Sequence, residues 1–165
     1  EDPVYYEECR QMVEGLGLGA TFEFTGRKKL DDVLGQIDVN VLTSISEGQP
    51  LVILEAGAAG VPTVATNVGS CTELIYGRED ESPRLGPGGE VTPLSNPRAT
   101  AAAIRRLLTD QDWFDRCAHA IRERCKVYYD QRSVEQAYGD LYTQLAEQED
   151  MRPEIPAPVA EKEAV

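Results

Sequence analysis

The sequence predicts an α/β fold with a doubly wound parallel sheet, and three observations carry that prediction. Short apolar runs at 38–43 and at Thr63 to Thr66 alternate with helical patterns at 29–36, 51–59 and 71–76. Strands alternating with helices imply parallel pairing through crossovers. Between the two runs, Thr43-Ser-Ile-Ser-Glu-Gly-Gln-Pro50 reads as a strand end, a glycine-containing loop and a helix start. Three further helical patterns after Asn96 then supply cover for a sheet.

Taken in chain order, residues 4–15 are expected as a helix stopped by Gly15, Gly17 and Gly19. Thr21 to Thr25 alternate as a short strand, and Val39, Val41 and Leu42 form the apolar run of the buried strand at 38–43. Asn67 and Gly69 mark the turn between the strand at Thr63 and the helix at 71–76. Residues 77–89 form an acidic, Pro/Gly-rich loop whose run Glu79-Asp80-Glu81 reads as solvated surface. Asn96 caps the next helix with Pro97 at its opening position, and Ile104, Leu107 and Leu108 are its buried stripe. Trp113, Cys117, Ile121 and Cys125 recur at four-residue intervals, the core face of a second helix. Ser133 and Gln136 form a capping box for a third, with Val134, Ala137, Tyr138, Leu141 and Leu145 as its stripe. Residues 1–149 are thus expected as one domain, and 150–165, rich in Pro, Glu and Ala, as a disordered acidic tail.

Composition excludes several functions. A net charge of −13 argues against nucleic acid or an anionic membrane as partner, since both reward clustered Lys and Arg. The longest apolar stretch, Leu51 to Ala65, is too short for a bilayer span and contains Glu55 and Pro62. The four cysteines, Cys9, Cys71, Cys117 and Cys125, lack metal-ligand spacing and read as reduced thiols. His119, the only histidine, falls on a helix and reads as a surface or half-buried residue, not a catalytic one.

The chemistry gathers around Glu47 and Glu55. Pro50 falls where a first helical residue belongs, its fixed φ suited to that place. The amides of Leu51, Val52 and Ile53 are then expected to lack intrahelical partners at the positive end of the helix, a site for an anion such as a diphosphate. Glu47 lies in the loop ahead of this site and Glu55 about one and a half turns into the helix. Carboxylates accept hydrogen bonds in pairs, which suits vicinal hydroxyls on a ribose or hexose. The plainer readings are a solvated loop glutamate and a helix glutamate that complements the dipole.

Ser46-Glu47-Gly48-Gln49-Pro50-Leu51-Val52-Ile53-Leu54-Glu55-Ala56 resembles the E-x7-E signature of retaining GT-B glycosyltransferases of the family-4 type, the glycosyl transferases group 1. Phe24-Thr-Gly26 with Lys29-Leu-Asp-Asp-Val-Leu34, the stretch Gly60 to Gly69 with Glu73-Leu-Ile75, and Gly89 to Pro97 resemble further units of the same domain, so the likeness covers residues 4–146. Leu-Thr-Ser-Ile-Ser-Glu-Gly-Gln-Pro-Leu at 42–51 resembles the PelF branch, which builds an exopolysaccharide and is taken to use UDP-glucose. Gln49 and Pro50 depart from the Phe and Gly usual in the family, and proline removes a backbone donor.

The resemblance implies a Rossmann-like, C-terminal half of a GT-B fold. Glu47 and Glu55 are its candidate catalytic pair, Glu47 toward the donor sugar and Glu55 toward the ribose. The implied donor-binding set is Glu47, Gly48, Gln49, Leu51, Val52 and Glu55, with Arg27 and Lys28 at the nucleobase. It implies no metal or cofactor, a UDP-sugar substrate, a glycan acceptor held by an N-terminal domain, and a membrane-complex protein as a further partner at the cytoplasmic face. The family's basic Arg/Lys pair has no counterpart ahead of residue 4, so the domain, truncated at its N-terminal side, is expected to be inactive alone. A UDP-sugar epimerase domain and a non-catalytic assembly module remain as alternatives.

Overall fold

The computed structural model describes residues 2–149, which fall into two units dividing between Ile37 and Asp38. The expected tail at 150–165 lies outside the described residues.

The first unit opens with helix α1, Pro3–Gly15, whose N-cap Asp2 accepts the Val4 amide at 2.9 Å. Asp2 caps because its carboxylate satisfies amides that the first turn leaves unpaired. Gly17, at φ 69°, turns the chain out of the helix as its residue type allows. The expected strand at Thr21 to Thr25 is not formed. No ladder partner reaches it among the described residues, and its stretch is instead organised by rings: Phe24 meets Tyr6 at 5.5 Å and Phe22 at 5.3 Å. Alternation in the sequence does not suffice for a strand where no neighbouring strand is there to bond. The helix expected at 29–36 is a single turn, α2 (Leu30–Val33), continued as a 3₁₀ turn over Leu34–Gln36.

The second unit is a three-stranded parallel sheet in the order β1-β2-β3, with β1 at Asn40–Leu42, β2 at Thr63–Thr66 and β3 at Gly89–Thr92. Val41 is level with Val64, and Val64 with Glu90. β1 is shorter than the run at 38–43 that announces it, and Val41 is 42% exposed. β3 falls in the stretch from Gly89 to Pro97, which the sequence marks by resemblance and not as a strand. Helix α3 (Leu51–Ala58) joins β1 to β2, and α4 (Cys71–Tyr76) leads from β2 toward β3. Helices α5 (Pro97–Thr109), α6 (Gln111–Tyr128) and α7 (Gln131–Glu149) follow.

β2 is buried along its whole length, and its alternating side chains divide the core in two. On one side Ala65 joins Ile53 of α3, Leu74 and Ile75 of α4, and Ile121 and Cys125 of α6. On the other, Val64 meets Leu107 of α5 and Cys117 of α6. The predicted core face of α6 is therefore real, and it serves both clusters. Gly57 lets α3 and α6 approach closely, since a Cβ there would lie 2.6 Å from Ile121 Cγ1 and 2.7 Å from Cys125 Sγ. All four cysteines are free, and burial pushes the Cys117 and Cys125 thiols up to about 11. His119 is exposed.

Three local expectations are corrected. Leu108 is exposed, leaving Leu107 as the buried anchor of α5, because the helix offers the core a narrower stripe than its apolar residues suggest. Helix α7 begins at Gln131, where Asp130 accepts the Arg132 amide at 3.0 Å and takes the role expected of Ser133. Its stripe residues Val134, Tyr138, Leu141 and Leu145 are exposed. Glu81 is not solvated. It is 4% exposed and bonded by Arg124, itself 1% exposed, whose guanidinium also donates to the carbonyls of Ile75 and Gly86. Burial alone would raise the Glu81 carboxyl, but the bonds from Arg124 and the Leu85 amide outweigh it and hold it below its ordinary value. Glu79 and Asp80 are exposed as expected, and Asp80 pairs with Arg78 at 2.7 Å.

Candidate functional site

The loop at 43–50 lies past the C-terminal end of β1, where parallel sheets place their ligands. Pro50 ends it, but as the N-cap of α3 and not as its first helical residue. Its ψ of 110° is extended, and its carbonyl accepts the Ile53 amide at 3.2 Å. That position suits proline, since an N-cap needs an acceptor carbonyl and makes no use of its own N–H. Three free amides are thereby reduced to two. Ile53 is partnered, while among the described residues nothing in the protein accepts from the N–H groups of Leu51 and Val52. These two donors, at the positive end of an eight-residue helix, form the anion-ready element.

Glu47 is half-buried, and its Oε1 accepts the Ser44 hydroxyl at 2.6 Å. Glu55, on α3, is exposed. Gly48 and Gln49 are exposed between Glu47 and the buried Pro50. Glu47, Gly48 and Gln49 thus lie on one loop, and Leu51, Val52 and Glu55 on the helix that follows it. Arg27 and Lys28 are exposed in the bend after Gly26. They belong to the first unit, and their place in the set rests on resemblance alone.

What holds the loop was not singled out from sequence. The Thr66 hydroxyl, at the end of β2, donates to the Ser44 carbonyl. Ser70 donates both its amide, at 2.9 Å, and its hydroxyl, at 3.0 Å, to the Gly48 carbonyl. Between them Gly69, at φ 51°, lies so close to the Glu47 and Gly48 carbonyls that any Cβ would collide with backbone. The turn after β2 thus clamps the turn after β1. The sequence signal was present in Asn67-Val-Gly-Ser70, but it marks a turn without naming the loop it will grip. On the α5 side, the strand ends also enclose a cavity of about 350 Å³ lined by Thr43, Ile45, Thr66, Asn96, Pro97 and Thr100. Neither glutamate lines it.

Comparison with known proteins places this geometry. The model of the family glycosyl transferases group 1 matches residues 1–110. The glycogen synthase of Mycobacterium tuberculosis is 31% identical over 129 residues, which are 78% of this chain and 29% of that protein. Among solved structures, sucrose-phosphate synthase from Thermosynechococcus elongatus superposes with a TM-score of 0.78 at 26% identity, over 90% of this chain and 36% of that one. HepE of Anabaena, solved with UDP-glucose, superposes with a TM-score of 0.75 at 21% identity, over 87% of this chain and 38% of that one. The structural neighbours are GT-B glycosyltransferases, and the expected α/β fold class holds. The chain spans less than two fifths of the length of each of these proteins.

Proposed function

Because the chain belongs to the glycosyl transferases group 1 family, we propose that it is the nucleotide-sugar-binding domain of a retaining hexosyltransferase, with UDP-glucose as donor and a growing glycan as acceptor. The observation that carries this reading is the pair of unpartnered amides at Leu51 and Val52, flanked by Glu47 in the loop before them and Glu55 in the helix after them. The diphosphate is assigned to those amides, which offer directed donors at a helix start without needing a metal. Glu55 takes the ribose hydroxyls and Glu47 the sugar hydroxyls, each as a paired acceptor.

UDP-glucose is favoured by the motif at 42–51, with its likeness to the PelF exopolysaccharide branch, and by a shared fold with a protein solved in complex with that nucleotide sugar. The acceptor and the basic residues that neutralise the departing diphosphate are assigned to the parts of the parent enzyme outside this domain. Arg27 and Lys28 are assigned to the nucleobase. Among the described residues no helix is long and apolar enough to cross a membrane. A cytoplasmic reaction, tied to the membrane through a partner protein, belongs to the same proposal.

An amide NMR titration of the chain with UDP, GDP, ADP and UDP-glucose tests this. Shifts at Leu51, Val52 and Glu55 with UDP and UDP-glucose, and weaker ones with GDP and ADP, are the expected result. Saturating nucleotide that leaves those three amides unmoved contradicts it.

A further inference from the structure

We infer that Ser44 is a positioning residue for sugar recognition, holding the Glu47 carboxylate in one orientation while Thr66 holds Ser44; the inference rests on the donor-binding reading above. The Ser44 hydroxyl donates to Glu47 Oε1 at 2.6 Å. The Thr66 hydroxyl, on a residue only 5% exposed at the end of the central strand, donates to the Ser44 carbonyl. Each hydroxyl has one proton, and both protons are committed by these bonds. The rigid centre of the sheet therefore fixes the backbone from which Ser44 reaches, and Ser44 fixes the carboxylate.

The consequence lies in what remains free. A carboxylate offers about four acceptor positions over two oxygens. Ser44 occupies one on Oε1, and among the described residues no protein donor meets Oε2. Oε2 is left to accept from a hydroxyl of the bound sugar, on a side chain whose rotamer freedom is already spent. A glutamate in open solvent would surrender that freedom on binding. The Ser44 bond is charge-assisted and short, which makes it a firm holder.

The test titrates the full chain and its Ser44→Ala, Ser44→Thr and Thr66→Val variants with UDP and with UDP-glucose by amide NMR. Ser44→Ala is expected to weaken UDP-glucose binding about fivefold, the size of one net hydrogen bond. It leaves UDP binding unchanged, and Ser44→Thr restores the loss. Thr66→Val removes the same support one bond further back and gives the same sugar-selective loss, which keeps the test open if Ser44→Ala fails to fold. Equal losses for both ligands would make Ser44 a general loop staple, and unchanged UDP-glucose binding would make its bond irrelevant. Either result overturns the positioning role and leaves the donor-binding reading intact. A wild-type chain that binds neither ligand overturns both.

Discussion

Two loops of the second unit each carry a glutamate, and they use it in opposite ways. In the loop after β1, Glu47 receives one hydroxyl bond and, among the described residues, keeps an oxygen without a protein donor, a few residues ahead of two amides that nothing there accepts from. In the loop before β3, Glu81 receives Arg124 on both oxygens and the Leu85 amide on one, and almost none of it meets solvent. The first loop is clamped from outside, by Thr66 and Ser70, so that its own polar groups stay available. The second consumes its polar groups to hold itself. Unused hydrogen-bonding capacity on a rigid loop is what separates a binding element from a structural one, and charge alone does not.

The largest effect that could break this contrast is on stability. Arg124→Met should cost about 3–5 kcal/mol in denaturant unfolding, because it strands the Glu81 carboxylate in the core. Glu47→Ala should change stability by no more than about 0.5 kcal/mol, as its carboxylate is not needed to satisfy a buried charge. Comparable losses at the two sites would erase the distinction.

Next in size, Gly57→Ala should cost about 1–3 kcal/mol by overpacking α3 against Ile121 and Cys125. Gly48→Ala, whose Cβ would meet nothing within 4 Å, should leave the melting temperature near its wild-type value.

A smaller effect follows from pH. The Glu81 carboxyl sits below its ordinary value when folded, so it binds a proton less readily there than in the unfolded chain. Its contribution to stability is complete above the unfolded carboxylate range, at about pH 4–5, and is lost as pH falls through the folded value. Thermal melts from pH 7 down to pH 3 should show this decline, and Glu81→Gln should flatten it. A wild-type profile that is flat across that range would sever the link between the buried pair and the loop.

Much of this was legible in the sequence, for physical reasons that also mark where legibility stops. Thr63–Thr66 and Cys71–Tyr76 could be bounded correctly because Pro62 and the Asn67-Val-Gly69 turn punctuate them. Asn96 and Pro97 announce α5 by chemistry local to its first turn, and its side-chain bond to the Ala99 amide is present. The seven loop and helix residues between Glu47 and Glu55 are legible as such, since Pro50 stands at the junction of loop and helix. The misses depend on partners distant in the chain. Thr21 to Thr25 alternates like a strand without a neighbour to bond, whereas Gly89–Thr92, with one apolar residue, becomes a strand because β2 lies beside it. Glu81 finds Arg124 forty-three residues away, and Ser70 grips Gly48 from twenty-two. Local chemistry announces caps and turns, while tertiary contacts decide which polar groups are consumed.

In the proposed function the two signature glutamates divide one nucleotide sugar between them. Isothermal or NMR titration of Glu47→Ala and Glu55→Ala with UDP and UDP-glucose tests it directly. Glu55→Ala should weaken both ligands by a similar factor, since both carry the ribose, and Glu47→Ala should weaken UDP-glucose while sparing UDP. Equal losses for both ligands at both positions would contradict the division.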